Sequence, residues 1–129
     1  MDISQFKTDI QLEANGVWVD VGKGTKLCVA RMYNPRHKDA LRAALKPYKR
    51  QIQFDAMDDE LGDEIVVGIM AQTILLGWEG MTENGEAVPY SYDKAVEFLK
   101  IKDFRDLVIE IASTMESYRA QATEDDEKN

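Results

Sequence analysis

The chain has 129 residues, of which 44% are hydrophobic and 31% charged, and its formal net charge is −8 at pH 7. This length suits one domain with a real core, and no apolar run approaches the ~18 residues of a membrane span. The N-terminus lacks a secretory signal and the single cysteine, Cys28, excludes an internal disulfide, so we expect a soluble cytoplasmic protein that does not contact a membrane.

The first predicted element is a β-hairpin. Residues 17–21 are β-branched and aromatic, and residues 25–30 return with Leu27 and Val29 on one face. The sequence Gly22-Lys23-Gly24 between them supplies the backbone freedom that a reversal needs. Because two strands alone are marginal in water, one face of this hairpin must pack on the helices that follow.

A short basic helix is predicted next. Asn34 can cap its exposed amides, Pro35 suits its first position, and Pro47 interferes with its continuation. A second short helix over residues 48–57 would carry Ile52 and Phe54 as its apolar positions.

The following segment, residues 61–76, is apolar almost all the way round, which predicts a central helix and leaves a buried strand as the alternative. Acidic residues at its start oppose the positive end of the helix dipole. Gly77 then stands where a C-terminal cap is expected.

Two amphipathic helices are predicted near the C-terminus, after a tight turn at Asn84-Gly85. Ser91 can cap the first, over residues 92–101, whose inner face would use Tyr92, Ala95, Val96 and Leu99. Asp103 can cap the second, whose apolar stripe is Phe104, Leu107, Val108, Ile111, Ala112, Met115 and Tyr118.

These elements predict a mainly α fold of the α+β kind, with an N-terminal β-hairpin packed on a bundle of about four to five helices. Residues 1–122 would form this single helical domain. Residues 123–129 are acidic and have no apolar group to bury, so we expect a disordered tail there.

The sequence contains no supported catalytic, cofactor or metal site. His37 is the only histidine, and it reads as a surface residue of the basic helix, while Cys28 falls in a strand and reads as a small buried hydrophobe. Neither they nor the acidic cluster at residues 55–64 show the spacing of a metal site. We therefore expect a protein that is not an enzyme.

Charge is distributed unevenly along the chain. Residues 1–54 carry ten Lys and Arg against five Asp and Glu, a net of +5, whereas residues 55–129 carry six against nineteen, a net of −13. Such a chain can associate head to tail, for which the candidate residues are Arg36, Arg42, Lys49 and Arg50. The alternative is that solvated faces differ in sign by chance. The strip of these four basic residues, extended to Arg31, could instead bind nucleic acid, but the acidic remainder disfavours this alternative.

In chain order, the motifs form a pattern that resembles the tail assembly chaperones of long-tailed, siphovirus-type bacteriophages. The resemblance covers about residues 15–129 and rests on Trp18 in a hairpin, Arg31 before Asn34-Pro35, the apolar helix ending at Gly77-Trp78, the Asn-Gly turn, Val88-Pro89-Tyr90-Ser91, Asp103-Phe104-Arg105 and an end at Lys128-Asn129.

This resemblance implies a protein that binds the tape measure protein, keeps it soluble in the host bacterial cytoplasm and yields it to tail tube protein during assembly. It also implies a homo-oligomer, absence from the mature virion, and a longer frameshifted form made by slippage near residues 127–129. The alternative is a structural head-tail joining or tail terminator protein of the virion.

The candidate partner contacts are Trp78 and Tyr90, which flank the turn, and three positions of the apolar helix. Val66, Val67 and Met70 would touch the tape measure protein or another copy if that side of the helix is exposed. For Trp78 and Tyr90 a place in the core is the favoured interpretation, because this is the usual fate of an aromatic residue beside a buried helix, and partner contact is the alternative.

Overall fold

The computed structural model describes residues 1–119, which form six α-helices, a three-stranded antiparallel sheet and a separate two-stranded hairpin. The helices are α1 (Ile10–Asn15), α2 (Pro35–Leu45), α3 (Lys49–Gln53), α4 (Asp59–Thr73), α5 (Tyr92–Leu99) and α6 (Lys102–Ala112). The strands are β1 (Val17–Gly22), β2 (Thr25–Val29), β3 (Leu75–Glu79), β4 (Thr82–Glu83) and β5 (Glu86–Ala87). Single 3₁₀ turns occupy Ile3–Phe6, Lys46–Tyr48 and Met115–Tyr118. The predicted α+β class is confirmed.

The predicted hairpin is strands β1 and β2, and β3 adds to the far side of β2, so that the strand order is β1-β2-β3. Leu27 lies at the centre of this sheet, opposite Val19 on one side and Trp78 on the other. Because β2 is the middle strand, Leu27, Cys28 and Val29 are all buried. Cys28 is thus a buried residue of the sheet, as its position predicts.

The predicted apolar helix ends earlier than expected. Helix α4 stops at Thr73, and residues from Leu75 onward form β3 instead, so the prediction that Gly77 caps this helix was wrong. Gly77 pairs with Cys28 inside the sheet. Pairing with β2 satisfies the backbone hydrogen-bonding groups of residues 75–79. This long-range pairing outweighs the helical preference that the length of the apolar segment suggested.

Two predicted helix starts and one predicted turn are confirmed. The Asn34 side chain accepts from the His37 amide at 3.1 Å, with Pro35 first in α2. The Ser91 hydroxyl accepts from the Lys94 amide at 3.1 Å at the start of α5. The Asn84-Gly85 turn joins β4 to β5, with both residues at positive φ. The predicted second short helix is present as α3, although it is shorter than residues 48–57.

Two predictions about the last helices were wrong. Asp103 lies inside the first turn of α6, and Ile101 precedes the helix instead. The stripe through Tyr118 is broken, because α6 ends at Ala112 and a 3₁₀ turn follows. This turn carries Tyr118 back to the sheet, where its hydroxyl donates to the Val29 carbonyl oxygen at 2.9 Å.

The core lies between the sheet and the helices α4, α5 and α6. Its aromatic centre is Trp78, which stacks on Phe98 with ring centroids 5.4 Å apart and meets Tyr90 edge-on at 5.0 Å. On α5 the inner face uses Ala95, Leu99 and Phe98, whereas Tyr92 is half exposed, so its predicted inward position was wrong.

The predicted tail, residues 123–129, lies outside the described residues. Among residues 1–119, no helix is both long enough and apolar enough to cross a membrane.

Candidate partner-binding groove

An open groove lies where α2 and the loop before it meet α4 and the end of α6. Its cavity has a volume of about 230 Å³, less than the roughly 300–1,000 Å³ of pockets that enclose a drug-sized ligand. Mostly apolar side chains line this helical groove: Met32, Tyr33, His37, Leu41, Val66, Ile69, Met70, Ile109 and Ser113. Its size and composition suit a few apolar side chains of a partner better than a cofactor.

The helical groove has a buried floor and an exposed rim. Ile69 and Met70 of α4 form the floor and are at most 5% exposed, whereas Val66 on the same helix is 41% exposed. Val66 shares their face because residues three and four apart lie together on a helix. Tyr33, at 62% exposed, forms the opposite rim. The rim therefore offers apolar surface to a partner while the floor belongs to the core.

His37 holds the Tyr33 side of the helical groove in place. Tyr33 has a left-handed backbone with φ of 64°, and its amide donates to His37 Nδ1 at 3.2 Å. The two rings meet edge-on at 5.4 Å. Buried Asn34 fixes the start of α2 beneath them, donating to the Arg31 carbonyl oxygen at 2.8 Å. This arrangement requires a neutral imidazole, because a protonated Nδ1 cannot accept a hydrogen bond.

The prediction that His37 lies on the surface was therefore wrong. Its side chain is buried against α4 and α6, because the Asn34 cap turns this position inward at the start of α2. Burial lowers the pKa of His37 below its ordinary value, since an imidazolium would lose its hydration.

The free energy of unfolding is expected to fall as the pH drops below the ordinary histidine pKa of about 6.5. Between that value and the lower pKa of the folded state, the unfolded chain binds more protons at His37, so protonation favours unfolding. Above this window His37 is neutral in both the folded and the unfolded state, so its contribution to the free energy of unfolding is fully present. Chemical denaturation from about pH 7.5 to 5.5 measures the effect.

A His37→Asn variant is the control for this pH dependence. Its side-chain oxygen can accept from the Tyr33 amide without titrating, and His37 is the only histidine in the chain. The variant should show a flatter dependence over the same window. An equally steep dependence in the variant would refute the assignment to His37.

The five predicted partner residues do not come together. Val66 lies on the rim and Met70 on the floor of the helical groove. Val67, Met70 and Trp78 are buried, so they are not available to a partner in this fold. On the apolar helix, only Val66 meets the condition of exposure that was set for partner contact. Tyr90 is half-buried beside Trp78, and its hydroxyl donates to the Leu75 carbonyl oxygen at 3.0 Å.

The predicted self-association residues lie on α2 and α3. Arg36, Arg42, Lys49 and Arg50 are all exposed, and Arg42 and Lys49 line a common cleft. Arg31 does not extend this strip, because it forms an ion pair with Glu13 at 2.8 Å.

Reactive chemistry is poorly supported in this part of the chain. Burial raises the pKa of the Cys28 thiol, which disfavours the nucleophilic thiolate. Within residues 1–119, no three His, Cys, Asp or Glu side chains are grouped closely enough to hold a metal ion.

The sequence did not identify Tyr33, Met32 or Ile109 as lining residues. Ile109 stands outside the apolar stripe predicted for the last helix, and the left-handed Tyr33 carries no local signal apart from the cap that follows it. Only the meeting of α2, α4 and α6 brings these residues to one groove.

The fold and groove define a small α+β protein with an open, mostly apolar groove. The family model described as YdaY prophage protein matches residues 32–129, and the chain belongs to this family of phage-derived proteins. Neither the curated proteins nor the solved structures contain a match to the chain.

Proposed function

We propose that this prophage protein is a tail assembly chaperone that binds the tape measure protein, keeps it soluble and helps to recruit tail tube subunits. The observation that carries this proposal is the helical groove, with Val66 and Tyr33 exposed on its rim. An amphipathic helix can lay its apolar face into such a groove. The resemblance to tail assembly chaperones implies a tape measure protein that is long, helical and apolar.

The proposed role needs solubility rather than catalysis. The net charge of −8 helps to keep a complex with an apolar partner in solution. We propose that the protein is not an enzyme, acts in the host bacterial cytoplasm and leaves before the virion matures. A longer frameshifted form is part of the same proposal, and its predicted site at residues 127–129 lies outside the described residues.

The proposal is tested by co-expressing the chain with the tape measure protein of the same prophage. Wild type should keep the tape soluble, whereas Val66→Glu should reduce the soluble fraction roughly tenfold, because the variant brings a carboxylate to an apolar contact. Ile10→Glu is the matched control: Ile10 is also β-branched, helical and exposed, but lies outside the helical groove.

A tape that is equally insoluble with and without wild type would refute the chaperone proposal. Equal losses for Val66→Glu and Ile10→Glu would instead refute the assignment to the helical groove. Circular dichroism of both purified variants separates loss of binding from loss of fold.

Mass spectrometry of purified particles distinguishes the alternative. A head-tail joining or tail terminator protein should be present in mature virions in several copies, whereas a chaperone should be missing from them.

A further inference from the structure

Two oppositely charged segments follow each other in the middle of the chain. Residues 36–50 carry six Lys and Arg against one Asp, and residues 55–64 carry six Asp and Glu without a Lys or Arg. No ion pair joins the two segments within residues 1–119, where the salt bridges involve other partners. Most of the charge in both segments therefore has no ion-pair partner within the described part of the chain.

The basic segment forms a cleft of about 540 Å³ lined by Arg42, Leu45, Lys46, Lys49 and Ile52. Pro47 creates it by ending α2 and starting the 3₁₀ turn that leads into α3. Ile52 is 45% exposed, so the cleft combines an apolar surface with surrounding cations. We call it the basic cleft.

Few carboxylates of residues 1–119 neutralise the cations of the basic cleft. Arg42 contacts Asp39 at 3.4 Å, but both side chains are more than three quarters exposed, so the pair is weak. Lys46 and Lys49 have no carboxylate within 4.0 Å among residues 1–119. The basic cleft thus offers positive charge that an acidic partner can bind.

The acidic segment contains the first turns of α4. Asp58, Asp59 and Glu60 are exposed at this helix start, where the helix dipole favours them, and Asp63 and Glu64 extend the negative charge beyond the first turn. Glu60, Asp63 and Glu64 also face Lys100 and Arg105 across a separate cleft. None of these carboxylates reaches a cation within 4.0 Å in the described part of the chain.

We infer that the basic cleft of one copy binds the acidic start of α4 of a second copy. The two segments match in charge, at +5 and −6, and are presented by the same molecule. Two arrangements satisfy this contact: a two-fold dimer in which each cleft binds the helix start of the other copy, or a head-to-tail assembly whose two end copies keep a free surface unless a ring closes. The exposed Ile52 favours a protein partner over nucleic acid, which the net charge of −8 would also repel.

This inference does not rest on the proposed chaperone function. The basic cleft and the helical groove share no lining residue. Variants of one surface can therefore be tested without altering the other.

Sedimentation velocity of the full chain tests the inference with two neutralising variants. Wild type should associate at about 50 mM salt and dissociate near 1 M, where the Debye length is about 3 Å. Lys46→Gln with Lys49→Gln, and separately Asp59→Asn with Glu60→Gln, should each weaken association roughly tenfold or more. Thermal unfolding of both variants establishes that they are folded.

An equimolar mixture of the two variants should form a 1:1 dimer that does not grow. In it, the intact basic cleft of one variant binds the intact helix start of the other, and neither free end can extend the chain. A mixture that stays monomeric, or variants that associate like wild type, would overturn the inference. A wild type that is monomeric alone and binds duplex DNA through Lys46 and Lys49 would also overturn it and indicate a nucleic-acid site.

Discussion

Replacing Trp78 by alanine is expected to lower the free energy of unfolding by about 4 kcal/mol, a typical cost for truncating a buried tryptophan. Trp78 is buried in the core, stacked on Phe98 and edge-on to Tyr90. Its indole Nε1–H also donates to the Val88 carbonyl oxygen at 2.8 Å. Truncation would leave a cavity and an unpaired carbonyl together. Urea denaturation followed by circular dichroism measures the change.

The chain provides its own control in Trp18, the only other tryptophan. Trp18 is 54% exposed on β1, where its ring lies against Gly77. Because much of its surface is already in water, Trp18→Ala should cost less than about 2 kcal/mol. Trp78→Phe should cost about 1–2 kcal/mol, since it keeps aromatic contact but loses the hydrogen bond. Equal losses for the two alanine variants would contradict the burial of Trp78.

Replacing Gly80 by alanine should destabilise the fold by about 3 kcal/mol through backbone strain and overpacking. Gly80 follows β3 with φ of 73°, and a Cβ there would overlap the carbonyl oxygen of Gly24. Gly24 belongs to the β1–β2 turn. Beside this turn, the Thr25 hydroxyl donates to the Gly80 carbonyl oxygen at 3.0 Å. Relieving the overlap would therefore separate this turn from the end of β3. Thermal and urea unfolding measure the loss.

Gly85→Ala isolates the strain from the overlap. Gly85 has a similar φ of 83° but no atom within 4 Å of the position of a Cβ. This variant should lose only the roughly 1–2 kcal/mol of a left-handed alanine. If Gly80→Ala is no less stable than Gly85→Ala, the close contact between Gly80 and Gly24 is not important for stability.

The two proposed surfaces use different chemistry on neighbouring elements. The helical groove offers apolar rim residues such as Val66, and the basic cleft offers Lys46 and Lys49 around Ile52. High salt should therefore weaken self-association through the basic cleft while leaving apolar contact in the groove largely unaffected. This difference allows the two proposals to be tested separately in one protein.

Local signals predicted the parts of the fold that depend on neighbouring residues. Asn34 and Ser91 begin helices because each side chain accepts a backbone hydrogen bond from the residue three positions later. The turn at Asn84-Gly85 follows from the positive φ that both residues tolerate. The β1–β2 hairpin was likewise predictable, because its two strands and its glycine-containing turn are contiguous.

The candidate surfaces were only partly predictable. Val66 and the cations of α2 and α3 were identified from apolar and charge patterns, which are read directly from the chain. The burial of Val67 and Met70 was not, because periodicity on a nearly all-apolar segment does not say which side faces the core. His37 looked exposed for a similar reason: its neighbours are charged, and burial was decided by distant α4 and α6.

The sequence by itself determined the α+β class, the helix starts at Asn34 and Ser91, and the unequal distribution of charge, because caps, turns and charge depend on residue type and local spacing. Tertiary structure decided that the chain leaves helix α4 at Thr73 and continues as β3, since β2 supplies the pairing. It also decided that α2, α4 and α6 enclose a groove around His37. Such contacts join residues far apart in the chain, and their free energy depends on burial that no local pattern contains.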